Sequence, residues 1–252
     1  MLKLEKNSIK ETFMNNLITY KSNQEKDFFE FKNISKFYKS GKINVVGLQN
    51  INLKISYGDF IVIGGISGSG KSTLLNLMGL IDQPDQGDIF IENKKINYNN
   101  DRLTTEIRKN KIGFIFQNFN LIPTLTVFEN IEYSLLKSIK EIKRRHLIIN
   151  QALEKVGILN LSKRYPEEIS GGQQQRTSIA RAFAKSPSII LADEPTANLD
   201  SGNGENILEI MKTMNIEERV TFVIATHDSS IMKMAKRKII VSDGKIIKDT
   251  RI

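Results

Sequence analysis

The chain has no cysteine. Disulfides, thiolate metal centres and cysteine nucleophiles are therefore excluded. It has only two histidines, His146 and His227, far apart in the sequence, so no histidine-rich metal site is expected. No apolar run approaches the ~20 residues that span a bilayer. The N-terminus has no uninterrupted apolar stretch of ~7–15 residues followed by a small-residue cleavage site, so no secretory signal is expected. These absences predict a cytoplasmic chain. If it works at a membrane, another chain supplies the spanning part. Internal repeats and low-complexity linkers are also missing.

What is present is enough for a real core. The 252 residues are 40% apolar, which suits one large α/β domain or two small ones. The formal charge of +9 fits nucleic acid, an anionic membrane face or general solubility. Basic residues cluster briefly at Lys140, Lys143, Arg144 and Arg145, and at Lys233, Lys236, Arg237 and Lys238. Neither cluster interleaves with aromatics as a single-strand binder would, and no nucleic acid partner is expected. A chain rich in Lys, Ile and Asn also matches an AT-rich genome, which raises charge without functional meaning.

Residues 1–27 read as a flexible extension, with Ile9, Phe13 and Leu17 as one weak helical face. From Phe28 the pattern changes. Residues 28–31 and 48–55 read as strands, and the apolar run 60–63 as a strand buried on both faces. Residues 71–78 fit a helix, and 88–92 and 112–116 are further strands. The segments 126–136 and 141–156 are helical in composition, and another helical stretch follows Gly172. Short apolar runs recur at 188–192 and 220–225, and Asp243-Gly244 marks a closing hairpin. Strands alternating with helices predict a mostly parallel α/β core, with a helical lobe inserted at about 118–184.

Gly65-Ile66-Ser67-Gly68-Ser69-Gly70-Lys71-Ser72 matches G-x-x-x-x-G-K-[ST], after an apolar strand and before a helix. Its glycines let backbone N–H groups turn inward on phosphates at a helix N-terminus. Lys71 brings charge to the β- and γ-phosphates, Ser72 offers a hydroxyl to Mg²⁺, and Thr73 adds a phosphate contact. A second apolar strand runs into Asp193-Glu194-Pro195-Thr196, which puts two acids at the carboxyl edge of the sheet. Asp193 suits Mg²⁺ and Glu194 suits the attacking water.

Ile169-Ser170-Gly171-Gly172-Gln173-Gln174-Gln175-Arg176 resembles the signature sequence of the ABC ATPase family, with Ile169 where Leu is usual. By itself such a turn before a helix is only a generic anion site. The resemblance covers about residues 28–250. It implies a P-loop NTPase fold with a mostly parallel core sheet, an antiparallel β subdomain and a helical subdomain. It also implies that Ser170, Gly171, Gly172 and Gln173 bind the γ-phosphate of ATP held by a second subunit, in a nucleotide-dependent homodimer. Gln117 resembles the glutamine that touches Mg²⁺ and links the site to a membrane permease. Asp200 and Ser201 resemble the segment that crosses the dimer interface. His227 resembles the histidine that holds the γ-phosphate and positions water. Tyr38 resembles the aromatic that stacks on adenine, with Phe37 as second candidate and simple packing as the alternative.

The phrases at 79–87, 120–126 and 190–200 resemble the ATPases of macrolide exporters and lipoprotein-release complexes. That branch implies an ATPase held peripherally on the inner face of the cell membrane through its permease. The rival is a soluble ABC ATPase acting on nucleic acid or ribosomes. Repair relatives insert a long coiled coil between loop and signature, whereas here about 100 residues separate them. Translation relatives carry two cassettes, and this chain has one.

Overall fold

The computed structural model describes residues 27–41 and 43–251. The expected extension, with its helical face at Ile9, Phe13 and Leu17, lies outside these apart from Asp27.

Two sheets face each other. A four-stranded antiparallel sheet has the order β2-β1-β4-β5, from β1 (Asp27–Ser40), β2 (Ile43–Ser56), β4 (Gln86–Ile91) and the two-residue β5 (Lys94–Lys95). A six-stranded sheet has the order β10-β9-β3-β8-β7-β6. Its strands are β3 (Phe60–Gly64), β6 (Ile112–Ile115), β7 (Ile189–Asp193), β8 (Thr221–Thr226), β9 (Arg237–Ser242) and β10 (Lys245–Arg251). All neighbours in it are parallel except β9 and β10.

The central strands are apolar on both sides because both sides are covered. Ile61, Ile63, Leu191 and Val223 face the antiparallel sheet and helix α1 (Lys71–Met78), in a core with Phe28, Phe29, Phe31, Leu74 and Leu77. Phe60, Val62, Ile190 and Phe222 face the other way, toward the helices that follow β6. Between β6 and β7 lie α3 (Val127–Leu135), α4 (Ile142–Lys155) and α5 (Gly171–Phe183), with 3-10 turns at Leu159–Leu161 and Pro166–Glu168. Ile131, Ile149, Leu153 and Ile179 pack these helices together. Thr126 caps α3 through a reciprocal box with Glu129, which is why that helix starts where it does.

The fold departs from the sequence expectations in two places. Strands β1 and β2 are 14 residues each, far longer than 28–31 and 48–55. Asn33 and Asn50 take positive φ of 53° and 51°, beside the shifts of register in the β1–β2 pairing, so alternation is broken and the ladder runs on. Three helices were not anticipated, α2 (Asp101–Lys111), α6 (Ser201–Glu218) and α7 (Ser229–Met234). Each of the two short basic clusters has one member in the interior. Arg145 is buried, with Nη2 3.0 Å from Glu132 and Nη1 donating to the Ile139 and Lys140 carbonyls. Arg237 is buried between Asp59 and Asp249.

Candidate functional site

The parallel register decides what meets at one edge. Gly64 pairs with Thr226, Ala225 with Asp193, and Ile115 with Ala192. Four chain segments therefore leave the sheet side by side at its carboxyl edge: the glycine loop, the acid pair, His227 and Gln117. Ligands of open α/β sheets collect at this edge.

The loop from Gly65 to Gly70 joins β3 to α1. Gly70 caps α1 at φ 110°, and a Cβ there would stand 2.6 Å from the Gly47 carbonyl oxygen. Only glycine fits both the angle and the approach. The turn after β9 props the loop, since Gly244 N–H donates to the Ser69 carbonyl at 2.9 Å. Lys71 is buried, and its ammonium donates to the carbonyls of Gly65 (2.7 Å) and Ile66 (2.9 Å). Ile66 and Ser72 are exposed and Thr73 is half-buried. Ser69 Oγ is buried with no protein hydrogen-bond partner.

Asp193 ends β7. Burial pushes its carboxyl above the usual carboxylate range; the Ser72 hydroxyl and the Lys71 charge pull the other way, while Glu194 adds to the rise. Glu194 holds a positive φ of 46°, a strained backbone that surrounding contacts fix. Its N–H donates to the Ala225 carbonyl at 2.9 Å. Glu194 Oε2 accepts from the Thr226 hydroxyl at 2.9 Å, and Oε1 accepts from the His227 N–H at 3.1 Å. His227 Nδ1 lies 2.7 Å from the same Oε1. A carboxylate only accepts, so this contact puts the ring proton on Nδ1 and leaves Nε2 outermost. The His227 side chain is 68% exposed. Gln117 is exposed, and its carbonyl accepts from Asn198 Nδ2 at 3.0 Å.

Residues 170–173 belong to a second group. Ser170 caps α5, with Gln173 N–H donating to its hydroxyl at 3.4 Å and Ser170 N–H donating to Gln173 Oε1 at 2.9 Å. A Cβ on Gly172 would touch Asn203 Oδ1 at 3.0 Å. Asn203 in turn is held by Asp200, which caps α6 and accepts from Asn203 N–H at 2.9 Å and Nδ2 at 2.7 Å. These backbone and side-chain donors hold the Asp200 carboxyl below its usual range. So the structure joins the loop, Asp193, Glu194 and His227 at one place, with Gln117 at the same edge. It joins 170–173 to Asp200 at another.

A family model described as ABC transporter matches residues 48–197. The chain belongs to the ABC transporter family. It is 43% identical over 227 residues to the ABC transporter ATP-binding protein MJ0796 of Methanocaldococcus jannaschii, covering 88% of this chain and 97% of that one. The dimeric structure of a post-hydrolysis state of the MJ0796 cassette bound to ADP and Pi superposes with a TM-score of 0.82, over 88% of this chain and 98% of that chain. The lipoprotein-releasing system ATP-binding protein LolD of Blochmanniella floridana is 43% identical over 84% of this chain and 90% of its own length. The macrolide export ATP-binding/permease protein MacB of Mannheimia succiniciproducens is 41% identical over 89% of this chain, which spans 35% of that longer protein. The fold is that of an ABC ATPase, and the cassette is an ATP-binding, ATP-hydrolysing one.

Tyr38 of the cassette lies beside the loop. Its ring edge is 2.7 Å from where a Gly47 Cβ would be, and the Gly47 carbonyl abuts Gly70. Tyr38 is 37% exposed. Phe37 alternates to the other face of β1, and its N–H donates to Asp85 at 2.6 Å. Sequence reasoning did not find Thr226, Asn198 or Asn203. Each is an ordinary polar residue with no motif of its own, and only the folded edge shows what it touches. His146 sits on α4, exposed, with its ring edge-on to Phe128 at 5.0 Å. Among the described residues no helix is long and apolar enough to cross a membrane.

Proposed function

We propose that this cassette is the Mg²⁺-dependent ATPase subunit of an export or lipoprotein-release complex, working on the inner membrane face against a separate permease. The observation that carries the reading is Glu194, fixed between Thr226 and His227 next to Lys71, Ser72 and Asp193. The LolD and MacB likenesses support the branch. We divide the chain into a core running over 28–250 and an inserted helical lobe at about 118–184.

Lys71 offsets phosphate charge while the loop amides orient the β- and γ-phosphates. Ser72 and Asp193 are hard oxygen donors, and the Ser72 hydroxyl acts on the Asp193 carboxyl, which fits Mg²⁺; Gln117 would add an amide oxygen. No group of three or more His, Cys, Asp or Glu side chains among the described residues is placed to hold a metal unaided. Phosphate oxygens and water would complete the shell. Held by Ser72, Asp193 and Gln117, the ion would supply positive charge against the charge that develops on the transferred phosphoryl group. Glu194 orients the attacking water and takes its proton at the carboxylate. His227, with Nδ1 committed to Glu194, turns Nε2 to the γ-phosphate and donates there in its imidazolium form. Residues 170–173 of a second copy would close the site, so ATP holds a head-to-tail homodimer together and hydrolysis loosens it.

The test is a pull-down from detergent-solubilised cells with the Glu194→Gln form and ATP. A co-purifying permease is expected, and its periplasmic domain would report the branch. Recovery of ribosomes or DNA without a membrane protein would replace this reading with a nucleic-acid ATPase.

A further inference from the structure

Tyr38 is not simply an exposed ring. Its hydroxyl donates to Asp82 Oδ2 at 3.1 Å, and the Lys36 ammonium lies 5.5 Å from the ring centroid. That ammonium also donates to Asp82 Oδ1 at 2.8 Å and to the Gln83 carbonyl at 2.8 Å. Lys36 is buried, 8% exposed, although Phe37 and Tyr38 after it are exposed, and it closes a triangle of ring, carboxylate and ammonium.

Asp82 is itself tied to α1. The Ile81 and Asp82 N–H groups donate to the Asn76 carbonyl at 2.9 and 3.3 Å, and Leu80 takes a positive φ of 53°. Asp82 thus follows the C-terminal cap of the helix whose N-terminus carries the phosphate loop. An eight-residue helix is about 12 Å long. Gly47 lies under the ring edge and against Gly70, so the ring is held from below by the loop's own support.

We infer that Asp82, with Lys36, is a positioning residue for the nucleobase: it locks the Tyr38 ring at a set distance and angle from the phosphate loop. This rests on the reading of Tyr38 as the adenine platform. A ring free to choose among three staggered χ1 wells must be recaptured on binding, which costs about threefold in affinity. Removal of the whole stack costs about 5- to 150-fold.

The experiment is calorimetric titration of the full chain with ADP and, separately, with pyrophosphate, which has no base. Wild type is compared with Tyr38→Ala, Tyr38→Phe, Asp82→Ala and the Tyr38→Phe/Asp82→Ala double variant. Tyr38→Phe and Asp82→Ala should each weaken ADP about threefold or more, the double variant no further, and pyrophosphate affinity should not move. Equal loss for ADP and pyrophosphate would overturn the inference, because the loop rather than the base platform would have changed. ADP affinity lost in Tyr38→Ala but kept in Tyr38→Phe and Asp82→Ala would leave stacking intact and overturn the positioning role. Full ADP affinity in Tyr38→Ala would remove the stacking reading and the positioning role with it. Should Asp82→Ala not fold, Tyr38→Phe decides alone, since it keeps the ring and removes only the hydroxyl.

Discussion

Replacement of Glu194 by glutamine separates binding from chemistry, and the contacts say why. Oε1 accepts from the His227 N–H and Oε2 from the Thr226 hydroxyl. A glutamine can keep its oxygen on the His227 N–H and turn its NH2 to Thr226 Oγ1. That hydroxyl already accepts from the Asp228 N–H at 3.0 Å, but an sp³ oxygen has a second lone pair. The backbone, held at φ 46° by the Ala225 carbonyl, need not move. Fold and nucleotide affinity should therefore survive. A general base contributes about 10²–10⁴-fold, so the barrier should rise by about 3–5 kcal/mol. Phosphate release under saturating Mg·ATP measures the first quantity and calorimetric ADP binding the second. Turnover within about threefold of wild type, with binding intact, would refute the role given to Glu194.

Lys71→Ala removes two hydrogen bonds to the loop carbonyls and a charge-assisted phosphate contact worth about 1.5–3 kcal/mol. ADP affinity should fall about 10- to 150-fold, and an unchanged value in the same titration would count against the loop assignment. Gly70→Ala places a Cβ 2.6 Å from the Gly47 carbonyl at φ 110°. Strain of about 1–3 kcal/mol, at about 2–4 °C per kcal/mol, should show as a lower melting temperature, and an unmoved melt would contradict the geometry. Asp82 gives a pH signature. Burial alone would raise its carboxyl, but hydrogen bonds from Lys36, the Gln83 N–H and Tyr38 outweigh it and the group titrates below its usual range. A depressed carboxyl stabilises the fold above its unfolded pKa of ~3.9 and loses that contribution as pH falls through the folded value. The melting difference between wild type and Asp82→Asn should be full near pH 6 and shrink below about pH 4; a difference constant with pH would show that the carboxylate charge is not what matters.

Local chemistry explains which parts of the fold could be read early. Helix α1 runs over Lys71–Met78 as expected, because a phosphate loop must end in a helix. The hairpin at Asp243-Gly244 follows from two residues that tolerate φ of 49° and 73°, as its tight turn demands. Helix α2 was missed because Thr104 is its only buried residue, which leaves no apolar stripe to see. Its start was nevertheless marked, since Asn100 caps it through the Leu103 N–H at 3.0 Å. Helix α6 opens with Gly202 and Gly204 in its first turns, which reads as loop. Its buried Ile207, Leu208, Met211 and Met214 outweigh that low propensity through packing.

The sequence by itself determined the chemical parts: a loop that only glycines can form, a lysine and a serine at its end, two acids after an apolar strand, and a signature turn. Those depend on residue type and short spacing, which local sterics enforce. Tertiary structure decided their partners. Thr226 reaches Glu194 because β7 and β8 pair in one register. Asn198 reaches the Gln117 carbonyl, and Lys36 and Tyr38 reach Asp82, across dozens of residues. Such contacts arise from how sheets and helices stack, and no local pattern in the chain encodes the distance between groups that only packing brings together.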